Sequence, residues 1–319
     1  MISCAILAQL PLFPERASTM APKIDALFIF LLAVSGLFTL LICALIITFA
    51  LRYRRKPGRV AATSHVHSNL RLELLWTAIP LVIALSAFAW GATLFVDYAI
   101  APEDARTVYV VGKQWMWKVQ HPEGRKEINE LHIARGYPVR LTLVSDDVIH
   151  SFYVPAFRVK QDALPGRYTS LWFEATRTGE FDLFCAEYCG TNHSKMIGKI
   201  VVLEPSDFQK WLAGQKDETL AQKGRRLFEQ FACHSCHSEQ SGSRGPNLRG
   251  LPGSTVTLQS GRTVTADDAY LRESILNPSV QLVDGYENIM PTYKGQLDEE
   301  GVIALIEHIK SLGGEEQTP

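Results

Sequence analysis

The sequence predicts a chain in three parts: a transmembrane helical hairpin, then an all-β domain, then an all-α domain. Two apolar stretches near the N-terminus are each long enough to cross a hydrocarbon core about 30 Å thick. From Arg106 to Leu203 the chain turns rich in β-branched and aromatic residues with frequent breaks. From Leu220 onward helical periodicity returns. At 319 residues there is room for two or three domains.

The first span runs from Ile24 to Leu51, apolar apart from Asp25 at its edge, with Ser35, Thr39 and Thr48 inside. The second, Leu74 to Val96, has no charge and contains Pro80, which membrane helices tolerate better than soluble ones. Together they set a hairpin over 24–98. Their lengths argue against the alternative, a buried hairpin in a soluble protein. Between them lies Arg52-Tyr-Arg-Arg-Lys-Pro-Gly-Arg59, with Arg71 further on, and the positive-inside rule puts this loop in the cytoplasm. Both termini then face outward. Residues 1–23 form an N-terminal segment that could hold a weak signal sequence. Glu73 sits at the cytoplasmic border of the second span, where an acid either snorkels to water or receives protons.

Charge is uneven along the chain. Residues 1–96 carry eight Lys/Arg against three Asp/Glu, 97–215 fourteen against fifteen, and 216–319 ten against fifteen. A basic head, a balanced middle and an acidic tail give no nucleic-acid signature.

The middle domain, 99–213, offers strands at Thr107–Val111, Trp115–Gln120, Val139–Val144, Tyr168–Glu174, Glu180–Phe184 and Ile197–Leu203. Gly112, Gly136, Pro165-Gly166 and Gly179 supply turns. Near its end stands Cys185-Ala-Glu-Tyr-Cys189-Gly-Thr-Asn-His193-Ser-Lys-Met196, and upstream His150 is expected to end a strand that points at it. Two thiolates and two imidazoles could close a zinc tetrahedron. The thioether of Met196 favours copper, for which a weak, long sulfur ligand is usual. Two cysteines in place of one suggest thiolates bridging two coppers.

After a polar joint at 214–219, residues 220–319 contain Cys233-His-Ser-Cys236-His237. C-x-x-C-H attaches a c-type haem: two thiols form thioethers, and the next imidazole ligates iron. A zinc pair or a redox C-x-x-C is the competing reading, but neither needs His directly after the second Cys. Met290 is the one Met beyond His237 and precedes Pro291, so it is the expected sixth ligand, with His308 as its rival. Gly245-Pro-Asn-Leu248 resembles the loop that packs over the haem in small cytochromes c, and the helical periodicity of Asp298–Leu312 would close the domain. Of the other cysteines, Cys4 and Cys43 stand alone and receive no role.

Cys185–Met196 with His150, the Gly112-Lys-Gln-Trp-Met-Trp117 strand, Leu72-Glu-Leu-Leu-Trp-Thr77 and Arg158-Val-Lys-Gln-Asp162…Pro165-Gly166 together resemble subunit II of the haem–copper cytochrome c oxidases. The resemblance covers nearly the whole chain. With the appended haem domain the chain resembles the fused subunit II of a caa(3)-type oxidase. That implies a cupredoxin-like domain holding the binuclear CuA centre, followed by a class I cytochrome c domain. By the same resemblance His150, Cys185, Cys189, His193 and Met196 ligate copper by side chain, and Glu187 by its backbone carbonyl. The Glu187 carboxylate would reach a magnesium ion shared with the catalytic subunit. Trp115 would relay electrons into CuA, and Glu73 would stand at the mouth of a proton channel.

The implied function is electron input to a proton-pumping cytochrome c oxidase. An outside reductant, such as a cytochrome c or another respiratory complex, reduces the haem. The electron crosses a mobile joint to CuA and then reaches subunit I, which reduces O2 to water. Nothing in this chain resembles an oxygen-reducing site, so it is an enzyme subunit. Its partners are subunits I and III and membrane lipid, in a bacterial inner membrane with both outer domains on the periplasmic face. The alternatives are the matching subunit of a CuA-containing nitric oxide reductase, or a stand-alone membrane redox carrier.

Overall fold

The computed structural model describes residues 13–54, 68–214, 218–238 and 242–313. Cys4, most of the basic loop and the centre of the 214–219 joint lie outside the described residues. Contacts divide the chain into two compact units, Thr19–Ile100 and the remainder.

The first unit is a pair of helices, α1 (Ala21–Arg52) and α2 (Leu70–Ala99). Both are longer than the apolar runs that predict them. Their large apolar side chains face outward, Leu40 at 71 % and Phe88 at 73 % exposure, as lipid-facing residues should. The hydroxyls of Thr39, Ser86 and Thr93 bond to carbonyls of their own helix, which satisfies them in an apolar solvent. Phe30 meets Trp90 between the helices with ring centroids 5.6 Å apart, and Lys23 pairs with Asp97 at 3.2 Å. Glu73 lies in the first turn of α2, where its carboxylate accepts from the Asn69 N–H at 3.3 Å.

The second unit begins with a β-sandwich of two five-stranded sheets. One runs β3 (Lys126–Ile128), β2 (Met116–Gln120), β1 (Arg106–Lys113), β5 (Pro138–Ser145), β8 (Thr169–Glu174). The other runs β4 (Glu130–Ala134), β10 (Ile197–Leu203), β9 (Gly179–Cys185), β6 (His150–Val154), β7 (Val159–Ala163). Trp117, Phe152, Phe157 and Phe173 fill the space between them, all fully buried. Residues 13–18 belong to this sandwich: Ala17 N–H donates to the Ala156 carbonyl at 3.0 Å, and the Ala17 carbonyl accepts from Thr176 at 2.9 Å.

Two local expectations change. His150 opens β6 and does not end a strand, because β5 stops at Ser145 and an acidic turn, Asp146–Ile149, intervenes. Trp115 lies in the β1–β2 turn and not in β2, which begins at Met116.

Alternation fails informatively in β1 and β5. Val139, Arg140 and Leu141 alternate in and out, but Val108–Gly112 and Leu141–Ser145 are buried on both faces. The outer face of this parallel pair is covered by the C-terminal helices. These are α4 (Leu220–Gln230), α5 (Asp268–Leu276) and α6 (Glu299–Ser311), following α3 (Pro205–Ala213) and accompanied by a small hairpin of β11 (Thr255–Thr257) and β12 (Thr263–Thr265). Helices α4 and α6 cross at Gly224, where a Cβ would come 1.9 Å from the Ala304 carbonyl oxygen, so only glycine fits.

Candidate metal and cofactor sites

One end of the sandwich gathers soft donors. β9 delivers Cys185, the following loop Cys189, a short 3₁₀ turn His193, the position just before β10 Met196, and β6 His150. Cys185 Sγ and Cys189 Sγ stand 3.8 Å apart. His150 Nδ1 is 4.0 Å from Cys185 Sγ, and His193 Nδ1 is 3.5 Å from Cys189 Sγ. Met196 Sδ lies 3.8 Å from Cys189 Sγ, and the Glu187 carbonyl oxygen 3.2 Å from Cys185 Sγ. Each sulfur of a two-thiol centre thus has one imidazole of its own, with a thioether on one side and a carbonyl on the other.

The electrostatics of this pair call for a cation. Burial opposes ionisation of Cys185, but hydrogen bonds from His150 and the Ser151 N–H outweigh it and hold the thiol down at about 6. Burial and the neighbouring Cys185 push Cys189 the other way. One thiolate forms readily and makes the second costly, a conflict that a metal ion between the sulfurs removes. Two thiolates, two imidazoles and a thioether are soft donors suited to copper.

Surrounding residues hold these donors in place. Asp147 accepts the His150 Nε2–H at 2.8 Å, which leaves Nδ1 turned to the sulfurs. Burial opposes the Asp147 carboxylate, yet hydrogen bonds from Gln114, His150 and Val148 keep its pKa lowered. Gly112 backs the same ring: a Cβ there would sit 3.0 Å from His150 Cδ2. Across the loop, Gln114 Nε2 and Trp115 Nε1 both donate to the Cys189 carbonyl, at 2.9 and 3.1 Å. Gly190, at φ +113°, leaves room for these two side chains.

The second site is an apolar cavity in the C-terminal helical region. Cys233, Cys236, His237 and Met290 all line it, with Phe231 and Tyr293. Its volume is about 290 Å³, at the lower end of the roughly 300–1,000 Å³ of ordinary ligand pockets. His237 Nδ1 donates to the Pro246 carbonyl at 2.8 Å, leaving Nε2 for a metal. Gly245 permits that approach, since a Cβ would come 2.8 Å from the His237 ring. His308 is not among the lining residues; its buried ring packs edge-on to Phe228 at 5.2 Å.

Three family profiles match the chain. The profile of the cytochrome c oxidase subunit II transmembrane domain matches residues 5–90 and that of its periplasmic domain 126–204. The profile of subunit III of the cbb3-type cytochrome c oxidase matches residues 219–309. Cytochrome c oxidase subunit 2 of Alkalihalophilus pseudofirmus is 35 % identical over 297 residues, covering 88 % of this chain and 84 % of its own length. The chain belongs to the cytochrome c oxidase subunit II family. Another member, from Thermostichus vulcanus, is 32 % identical over 63 % of this chain and 77 % of its own. The solved periplasmic domain of subunit II of cytochrome oxidase from Bradyrhizobium japonicum is 33 % identical, covering 37 % of this chain and 97 % of that domain, with a TM-score of 0.36.

As a subunit II with an appended cytochrome c domain, the chain is a membrane protein with its periplasmic domain outside, and its role is electron input to an oxidase. Sequence reasoning missed Asp147 and Gln114. Asp147 lies three residues before His150 in an acidic turn, and that spacing was the one available signal.

Proposed function

We propose that this chain is the electron-input subunit of a proton-pumping cytochrome c oxidase, carrying a covalent haem c and a binuclear CuA centre. The observation that supports it most is the pairing of two buried thiols at 3.8 Å, each beside its own imidazole and with Met196 alongside. His150, Cys185, Cys189, His193, Met196 and the Glu187 carbonyl would hold the coppers. Cys233 and Cys236 would anchor the haem, with His237 and Met290 on its iron. Once bound, both groups exchange single electrons without making or breaking bonds.

The chain's own residues orient these groups and keep them dry. Asp147 fixes the His150 ring, the Pro246 carbonyl fixes His237, and Trp115 and Gln114 tie the electron-receiving turn to the Cys189 backbone. Glu187 is exposed, so its carboxylate is available to a magnesium ion shared with subunit I. Glu73, in the first turn of α2 and close in sequence to the basic loop, would take up protons from the cytoplasm. Subunits I and III are the partners, an external one-electron carrier the donor, and the bacterial inner membrane the location.

The test is elemental analysis and spectroscopy of the full chain in detergent. Two coppers per iron, a mixed-valence copper resonance and a low-spin haem c spectrum are expected. Zinc in place of copper would refute the assignment of the sandwich site.

A further inference from the structure

We propose that the cytochrome domain works from a fixed seat on the outer face of the first sheet, with α6 as the wall shared by the two cofactor sites. This rests on the functional reading above and replaces the mobile joint expected from sequence.

The seat has an apolar centre and charged ends. Tyr109, Val111 and Val144 from β1 and β5 form one buried cluster with Leu220, Ile303 and Ala304 from α4 and α6, all at 0–1 % exposure. At one end Glu300 of α6 meets Lys118 at 3.1 Å and Lys126 at 3.5 Å from β2 and β3, with Lys223 at 3.8 Å. At another, the Tyr109 hydroxyl donates to Glu307 at 2.5 Å and accepts from Lys310 at 2.9 Å, while Lys310 also bonds Asp268. At a third, Arg272, 5 % exposed, pairs with Glu299, donates to the Gly166 carbonyl at 2.6 Å and covers the Tyr168 ring. Glu299 belongs to the same domain as Arg272, so what holds this end across the seam is the bond to the Gly166 carbonyl and the cover over Tyr168, both lost on separation.

Helix α6 is consistent with a wall. Val302 to Ile306 are buried without a break, as in a helix packed on both sides. Leu305 and Ile309 line the haem cavity, whereas Ile303, Glu299, Glu300, Glu307 and Lys310 face the sandwich. On the far side of the wall β1 continues from Val111 to Gly112, which touches His150. Haem cavity, α6, β1 and His150 therefore follow one another through packed protein, leaving the haem mouth for the external donor. One electron leaves the haem iron, Fe(II) becoming Fe(III), and one enters the copper pair; no proton or bond changes hands.

The test measures haem-to-copper transfer in the full chain after flash reduction, while glycerol raises the viscosity. Hydrogen exchange at Val108–Gly112 and Ile303–Ile306 is followed alongside. A rate unchanged by viscosity and protected amides are expected. V144D and E300K should slow transfer by at least about tenfold, make it viscosity-dependent and release the amides. Transfer in the parent that slows in proportion to viscosity overturns the seat, as do fast-exchanging amides or variants that match the parent. The parent measurements stand even if a variant fails to fold. If the copper or haem signal is missing, the functional reading falls, and hydrogen exchange still decides the seat.

Discussion

At the scale of single residues, the copper-type site is built by sequence-local spacing plus one distant strand. Cys185, Cys189, His193 and Met196 fall within one loop, so their types and intervals make the donor set readable from the chain alone. Asp147 stands three residues from His150, but Gln114 was not readable in the same way, because folding sets its partner: Gln114 and Cys189 are 75 residues apart. Met196 tests the copper assignment most directly. Met196→Leu nearly conserves volume, so it should cost less than about 1.5 kcal/mol in stability. It removes the thioether 3.8 Å from Cys189. The expected outcome is a folded chain that retains copper but shows an altered mixed-valence resonance and reduction potential. An unchanged resonance would mean that Met196 is packing alone.

At the scale of elements, long or strictly patterned segments were legible and short ones were not. Both membrane helices and the strands β1, β2, β5, β8, β9 and β10 follow from periodicity, with ends shifted by a few residues. β3, β4, β6 and β7 were missed, being three to five residues long and set by pairing with neighbours. The unbroken Val-Tyr-Val-Val of β1 is buried on both faces in the structure, and nothing local in the sequence names its cover, which arrives from residues beyond 219. That cover has a pH dependence. Burial would raise the Glu300 pKa, but Lys118, Lys126 and Lys223 lower it on balance. A depressed acid stabilises above its unfolded pKa, about 4.3, and the contribution is lost as pH falls through the folded value. Calorimetry should therefore show the sandwich and haem domain melting together at neutral pH and separately below about pH 4. Joint melting throughout would show that the apolar centre suffices.

At the scale of the whole molecule, the seat changes which charges are left for a donor. The C-terminal residues carry an acid excess, ten Lys/Arg against fifteen Asp/Glu over 216–319. Glu299, Glu300, Glu307 and Asp268 are spent inside the seat on Arg272, Lys118 and Lys310. Asp284 and Glu287 remain exposed, and Glu287 lines the haem cavity together with exposed Ile289. An apolar rim with a few acids fits a basic one-electron carrier, attracted over a Debye length of about 10 Å at 0.1 M salt. Reduction by such a donor should slow as ionic strength rises, and Glu287→Gln with Asp284→Asn should flatten that dependence while leaving the haem spectrum intact. Transfer onward to copper, inside the seat, should show no such salt dependence over the same range. Stopped-flow reduction read at the haem and copper bands separates the two steps. Equal salt slopes for both would show that the donor and the sandwich compete for one face.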